Sequence, residues 1–183
     1  QVVILPIIPK EENREHVMNA VNQFANELLE LTYAGLPLRV EVDSRDMHGG
    51  AKNWEWIKKG APIRIEIGPR DIEKGTISVA RRDQSPKEKQ FIESTKFLKE
   101  AENILEDIQS SLLNSATTFR DENMINIETM DEFIKFFTPL NSDKPEIHGG
   151  FALCHWAGSN EEEEKIAKDY KVTIRCIPNG DKF

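Results

Sequence analysis

The chain has 183 residues, of which 38% are hydrophobic and 31% are charged, and its formal net charge is -8. No apolar run approaches the roughly 20 residues that a membrane-spanning helix needs, so the composition excludes a membrane protein. The acidic balance argues against indiscriminate nucleic-acid binding, which depends on many Lys and Arg contacts to phosphates. The two cysteines, Cys154 and Cys176, are too few for a disulfide framework, and the start at Val2 without a basic leader predicts a cytoplasmic protein.

The acidic average hides a basic section between Arg39 and Arg82. This section contains ten Lys or Arg and seven Asp or Glu, a net charge of +3 that leaves -11 for the rest of the chain. Two interpretations remain open at this point. The section is either a surface that binds a polyanion or an ordinary solvated surface of mixed charge, which composition alone slightly favours.

Strands and helices alternate in the first half of the chain. Apolar residues at period two or in short runs predict the strands, and apolar residues stepping by three and four predict the helices. The predicted elements are a strand at 2–8, a helix from Glu11 to Leu31, a strand at 38–42, a helix at 50–59, and strands at 63–67 and 77–80. This order predicts an α/β domain over residues 1–84, with a mixed β-sheet flanked by helices.

The second half of the chain contains a long helix and a small separate unit. An apolar stripe on a charged background predicts the long helix, and a linker rich in Pro and Gly precedes the small unit. The predicted elements are helices at 86–115, 130–137 and 161–169 and strands at 151–154 and 172–176. We therefore expect a helical connector over 85–148 and a small C-terminal α/β domain over 149–183.

The strand at 63–67 carries the clearest candidate for chemistry. Arg64 and Glu66 share one face of the sheet because side chains alternate along a strand, and apolar residues fill the other face. Arg offers a planar fork of donors to guanine O6 and N7, and a carboxylate accepts from the donors on the guanine Watson–Crick edge. The pair therefore indicates a site for a guanine-rich single strand, although a cross-strand salt bridge is the commoner use of such a pair.

Further cations and two aromatic residues lie close to this strand in the sequence. Arg70, Arg81 and Arg82 follow a turn or end a strand, and we expect them to gather at one edge of the sheet, where they suit phosphates or splayed bases. Trp54 and Trp56 are candidate stacking platforms for single-stranded RNA. On a helix of this kind, however, one of the two is normally part of the core.

The remaining His and Cys residues do not indicate catalysis or a metal site. His148, Cys154, His155 and Cys176 lack the short paired spacings of a structural zinc site. The neighbours Cys154 and His155 point to opposite faces of a strand and cannot form a nucleophile–base pair. Glycine-rich phosphate loops are also missing from the sequence. We therefore expect no catalytic residues in this chain.

Three segments of the basic section resemble the anticodon-binding domain of prolyl-tRNA synthetases: DSRD at 43–46, GAKNWEW at 50–56 and KGAPIRIEIGPRD at 59–71. The segments at 151–158 and 173–178 are similar to the extra C-terminal domain of the archaeal and eukaryotic-like type of that family. The resemblance covers nearly the whole chain, and it implies the fold of class IIa anticodon-binding domains.

The resemblance also implies a function. A catalytic domain N-terminal to Gln1 would activate proline with ATP and Mg²⁺ and form a homodimer, while this chain, without a cofactor, docks the anticodon of tRNA(Pro). By motif position, the side chains that bind the guanines of the proline anticodon correspond to Arg64 and Arg70, with Lys87 nearby. The anticodon-binding residues that we predict are Arg64, Arg70, Glu66, Glu55, Lys87 and Arg82.

The chain departs from the family pattern at two places. Ile57 stands where the family has Glu, so we expect Glu55 or Glu66 to take over that role. Many relatives bind zinc through four cysteines, but the first two positions correspond here to Ala157 and approximately Glu162, and the second pair lies beyond the chain. We therefore predict that no zinc is bound.

Two alternatives to this function remain. The first is the anticodon-binding domain of a related synthetase for threonine, histidine or glycine, against which the segment at 68–71 and the extra C-terminal domain argue. The second is a synthetase-like adaptor that keeps the fold for protein contacts and has lost RNA binding. The missing zinc ligands favour an adaptor, whereas the retained Arg64, Arg70, Arg81 and Arg82 argue against it.

Overall fold

A computed structural model describes residues 1–141, 143–144 and 150–175. The chain divides into two compact units, Gln1–Asn114 and Ser115–Phe183. Within the described ranges, the strands are β1 (Val2–Pro6), β2 (Thr32–Tyr33), β3 (Leu36–Pro37), β4 (Val40–Val42), β5 (Ile63–Ile67), β6 (Thr76–Arg81), β7 (Gln90–Glu93), β8 (Met124–Ile127) and β9 (Phe151–Cys154). The helices are α1 (Arg14–Leu29), α2 (Gly49–Lys58), α3 (Pro69–Lys74), α4 (Ser94–Glu122), α5 (Met130–Phe137) and α6 (Asn160–Tyr170).

The first unit is built on a five-stranded mixed sheet in the order β4-β1-β5-β6-β7. The strands β4, β1 and β5 are parallel, with Val2 opposite both Val40 and Ile63. The strands β6 and β7 complete the sheet in antiparallel fashion, and Ile65 lies opposite Val79. The mixed sheet flanked by helices confirms the predicted fold class.

Helices α1 and α4 cover the first face of this sheet. Their apolar stripes pack on alternate residues of β1, β5 and β6, and Phe24 of α1 meets Phe97 of α4 with ring centroids 6.2 Å apart. The fully buried side chains on this face include Val2, Ile4, Val17, Val21, Leu28, Ile63, Ile65 and Phe97. Burial of each such side chain contributes about 1.5–3 kcal/mol, so this face is the main core of the first unit.

Helix α2 covers only part of the second face. Its Trp56 packs with Val3, Leu5 and Ala61 in a second, smaller buried cluster. The second face also carries Arg64, which the strand register places beside Val3. The second face of β5 is therefore the part of the sheet that positions Arg64.

The second unit contains a two-stranded parallel sheet, β8 with β9, and the helices α5 and α6. Both helices begin with a capping box. The side chain of Thr129 or Ser159 accepts from the backbone N–H of a Glu three residues later, and the side chain of that Glu accepts from the backbone N–H of Thr129 or Ser159. The ring of Phe133 in α5 meets Tyr170 in α6 edge-on, with centroids 5.7 Å apart. This ring contact connects the two helices within the unit.

Several elements differ from the sequence-based expectations. The predicted long helix begins at Ser94 rather than Pro86, because 90–93 form strand β7. The β2–β3 hairpin, α3 and β8 were not predicted. Of the strand predicted at 172–176, the residues 172–175 are not in a strand, and Cys176 lies outside the described residues. The domain limits at 84 and 148 stay a prediction, and no described helix combines the length and apolar character needed to cross a membrane.

Candidate nucleic-acid interface

Arg64 lies on the second face of the sheet with its guanidinium beside α2. The side chain is only 3% exposed, and its Nε donates to Oδ1 of Asn53 at 3.0 Å. Among the described residues, the Arg64 side chain makes no other hydrogen bond. Its two terminal amino groups therefore have no acceptor in the described part of the chain. Burial lowers the pKa of the Arg64 guanidinium, and the nearby charge of Glu66 opposes that shift. The result is a fixed cation with a donor fork that the described residues do not use.

Glu66 shares this face with Arg64 but is paired with a different residue. Nζ of Lys89 lies 2.7 Å from both carboxylate oxygens of Glu66. Lys89 directly precedes β7, which reaches β5 across β6. The carboxylate that we expected to accept from a guanine is therefore occupied by an ammonium group in the free chain.

The other predicted cations do not form one cluster. Arg81 lies opposite Ile63 at the beginning of β5, and Arg82 follows it, with its backbone N–H donating to the carbonyl of Pro62 at 2.9 Å. Arg70, by contrast, is exposed on α3, which begins after the end of β5. The expectation that these cations gather at one edge is wrong, because the length of β5 separates them.

Arg81 connects β6 to α4 through two ion pairs. Its NH2 group lies 2.7 Å from Asp83 and 2.6 Å from Asp107. The hydrogen bonds that Arg81 donates to Asp83 and Asp107 raise the pKa of its guanidinium. The hydrogen bond from Arg81 lowers the pKa of Asp83, whose side chain is buried. Arg81 therefore has a structural role. Lys87, another predicted site residue, is exposed in the loop before β7.

Glu55 points away from Arg64. Each residue of an α-helix is rotated by about 100° from the one before it, so the side chains of Asn53 and Glu55 point about 200° apart. Asn53 faces β5, and Glu55 faces the loop after β4. There Glu55 pairs with NH1 of Arg45 at 2.8 Å. The same arginine donates from Nε and NH2 to Asp43 at 2.8 and 2.7 Å. Glu55 is thus part of a structural charge cluster rather than of the face that carries Glu66.

The two tryptophans have different surroundings. Trp56 is buried, its Nε1 donates to Oδ2 of Asp43 at 2.8 Å, and Nζ of Lys59 lies 4.1 Å from its ring centroid. Trp54 is 57% exposed on the outer side of α2. One of the two is therefore core, as the sequence indicated, and the exposed one points away from the sheet.

Three residues of this face were not predicted from the sequence. Asn53 orients Arg64 through a hydrogen bond, Lys89 forms an ion pair with Glu66, and Phe91 is exposed on β7. Phe91 lies opposite Ser78, which lies opposite Glu66, so these three residues form one row across the sheet. The four residues of β7 are too few for a clear period-two pattern, and without β7 the row could not be predicted.

The described positions that the resemblance matches to zinc ligands do not fit a metal. Ala157 has no donor atom, and Oε2 of Glu162 accepts from the backbone N–H of Ser159 at 2.7 Å as part of the cap of α6. Across residues 1–141, 143–144 and 150–175, no three His, Cys, Asp or Glu side chains converge as metal ligands. The absence of zinc stays a prediction.

Comparison with known proteins gives one family and a consistent set of relatives. The family model described as the anticodon binding domain matches residues 1–104. A proline–tRNA ligase of Protochlamydia amoebophila is 50% identical over 179 residues, which are 97% of this chain and 35% of that protein. Proline–tRNA ligase 2 of Anaeromyxobacter dehalogenans is 47% identical over 182 residues, 97% of this chain and 36% of that protein.

A third relative, the proline–tRNA ligase of Akkermansia muciniphila, is 44% identical over 181 residues. Those residues are 99% of this chain and 35% of that protein. The similarity thus extends over both units of the chain, and the chain spans little more than a third of each relative's length.

Proposed function

The chain belongs to the anticodon-binding domain family, and we propose that it is the part of a proline–tRNA ligase that binds the anticodon of tRNA(Pro). Support for proline comes from relatives named proline–tRNA ligase, which match the chain over 97–99% of its length. These names favour proline over threonine, histidine or glycine, the related synthetases considered above.

The observation that carries the proposal is the unused donor fork of Arg64. Asn53 fixes the guanidinium through Nε, which leaves the two terminal amino groups for a ligand. Two parallel donors match the O6 and N7 acceptors of guanine, and preorganisation by the protein reduces the entropy lost on binding. In the proposed complex, Arg64 therefore recognises one guanine of the anticodon.

Glu66 would recognise guanine by exchange of partners. A carboxylate accepts from the N1–H and N2–H groups of the guanine Watson–Crick edge, and Lys89 would have to leave Glu66 first. The released ammonium group is then available to a phosphate of the same strand. This exchange conserves the number of charge-assisted contacts, so occupation by Lys89 does not prevent recognition.

The activity of the whole protein is part of the proposal. A catalytic domain outside this chain would join proline to tRNA with ATP and Mg²⁺ and would form the homodimer. This chain would contribute no catalytic residue, and the assembly would act in the cytoplasm. Arg70 and the exposed Lys87 and Arg82 would contribute contacts to phosphates or bases near the loop.

The test is a binding titration with an anticodon stem-loop that carries UGG and with a loop whose two guanines are changed to adenine. We expect the chain to prefer UGG. Arg64→Lys keeps the charge but loses the fork, so we expect it to lose about 1–3 kcal/mol of that preference. Equal binding of both loops by the unmodified chain would contradict the proposal and favour the adaptor.

Arg14→Lys is the matched control for this experiment. It makes the same substitution in α1, which packs on the first face of the sheet, so the preference for UGG should not change. Thermal unfolding of both variants shows whether a change in binding is caused by a loss of folding. A preference that Arg14→Lys also loses would show that the effect does not come from the second face.

We also propose that the second unit is stable without zinc. Glu162 is used in the cap of α6 and Ala157 cannot bind a metal, so the set of ligands that many relatives use is incomplete here. Structural zinc contributes directly to folding, and its removal unfolds such domains. We therefore expect a strong chelator to leave the thermal unfolding of this chain unchanged, and stoichiometric zinc in the purified chain would overturn this expectation.

A further inference from the structure

Phe91 is an aromatic residue that the fold does not use. It lies in the edge strand β7, and its side chain is 72% exposed. The neighbouring Ile92 points to the first face, where it packs against the main core. Phe91 therefore points to the second face, and removal of its ring would cost the fold little apolar burial.

The position of Phe91 connects it to the proposed interface. Phe91, Ser78 and Glu66 form a row across three neighbouring strands, on the face that also carries Arg64. Ser78 in the middle of the row has a small side chain and is itself buried, whereas Phe91 at the end of the row is exposed. Lys89, two residues before Phe91, extends over the same face to reach Glu66.

A single exposed apolar residue is common on protein surfaces and has no meaning by itself. Phe91 differs because it continues a face on which a carboxylate, an ammonium group and an unused guanidinium fork are already present. Aromatic rings on open sheet faces bind single-stranded RNA by stacking on unpaired bases, and this contact does not depend on the identity of the base. Trp54 does not share these properties because it points away from the sheet.

We propose that Phe91 is the stacking platform for an unpaired base of the anticodon loop, adjacent to the base that Glu66 recognises. This inference rests on the proposed function, and it adds a subsite to the same interface. The ring supplies affinity for the single strand, while Arg64 and Glu66 supply the preference for guanine. Lys89, once released from Glu66, lies beside this subsite to contact the connecting phosphate.

The test uses the same stem-loops with Phe91→Leu and Phe91→Tyr. Leu keeps most of the apolar volume but removes the ring, and stacking of one base on an aromatic side chain corresponds to roughly 5- to 150-fold in affinity. We expect Phe91→Leu to weaken binding of both loops within this range and by the same factor. Phe91→Tyr keeps the ring and should bind within about twofold of the unmodified chain.

Phe119→Leu is the matched control, since Phe119 is exposed to a similar extent, 65%, and lies outside the sheet. Unchanged binding by this control is the expected result. An equal loss in Phe119→Leu, or a loss in Phe91→Tyr as large as in Phe91→Leu, would overturn the subsite. If Phe91→Leu keeps both the preference for UGG and the full affinity, the subsite alone is overturned. If the unmodified chain does not bind RNA, both proposals are overturned.

Discussion

Asp43 shows how a residue of a recognition motif can serve the fold. Its buried carboxylate accepts from Arg45 and from Nε1 of Trp56, and its carbonyl accepts from Nζ of Lys52 at 3.0 Å. These contacts fix the loop after β4 against α2. The helix that carries Asn53 is thereby positioned over β5, so Asp43 supports Arg64 through contacts within the fold.

Asp43→Asn should destabilise the chain in a pH-dependent way. The substitution weakens charge-assisted hydrogen bonds to a buried group, which costs about 1–3 kcal/mol near neutral pH. The hydrogen bonds from Arg45 and Trp56 hold the pKa of Asp43 well below its usual range. Its contribution is therefore present above the unfolded-state value of about 3.9 and is lost as the pH falls towards the folded-state pKa.

Denaturant unfolding at a series of pH values measures this prediction. The difference in unfolding free energy between the unmodified chain and Asp43→Asn should be largest above about pH 4 and should shrink below it. Asp46→Asn makes the same substitution at an exposed neighbouring position and should leave the stability nearly unchanged. A difference that does not change with pH would show that the Asp43 carboxylate is not the titrating group.

The sequence predicted some residues of the interface and not their partners. Arg64 and Glu66 could be assigned to one face because period two needs only the strand itself. The partner of Glu66 could not be predicted, since Lys89 reaches it through the register of a strand that was not recognised. The ion pair of Glu55 with Arg45 could not be predicted, because the direction of Glu55 depends on which side of α2 faces the sheet, and its role in binding stays a prediction.

At the level of elements, one ionic contact connects the last long strand to the long helix. Arg81 at the end of β6 binds the buried Asp83 and also Asp107 on α4. Arg81→Leu would leave the Asp83 carboxylate buried without its main partner. We expect this substitution to lower the unfolding free energy by about 1–3 kcal/mol, because an unsatisfied buried group retains its desolvation cost.

Binding of the UGG stem-loop separates this structural role from RNA recognition. Arg81→Leu should keep the preference for guanine at temperatures where the chain is folded, whereas Arg64→Lys should lose it. Arg39→Leu changes an exposed arginine and should affect the stability much less. Loss of the guanine preference in folded Arg81→Leu would show that Arg81 contacts RNA.

The elements that the sequence failed to predict are short. The hairpin β2–β3 turns through Ala34 and Gly35, both with positive φ, and Ala is an unusual residue in that conformation. Helix α3 spans only six residues, with Pro69 at its start and Gly75 in the left-handed conformation at its end. Such elements depend on caps and turns rather than on apolar periodicity, so the apolar pattern of the sequence does not predict them.

For the whole molecule, the two faces of the sheet have different uses. The first face carries most of the apolar burial through α1 and α4, whereas α2 covers the second face only over β1 and the adjacent part of β5. The alternation of helices and strands was enough to predict the mixed sheet. The strand order, which places β6 and β7 beside β5, depends on long-range pairing that local patterns do not specify.

The two units should also differ in local stability. In the first unit all five residues of β1 are buried, whereas Ile127 is the only buried apolar residue among the described residues of the second unit. A two-stranded sheet with so small a core is marginal by itself. Native-state hydrogen exchange should therefore give lower opening free energies for the amides of β8 and β9 than for those of β1 and β5, each 1.4 kcal/mol corresponding to about tenfold faster exchange. Equal protection of the two sheets would show that the units open together as one cooperative structure.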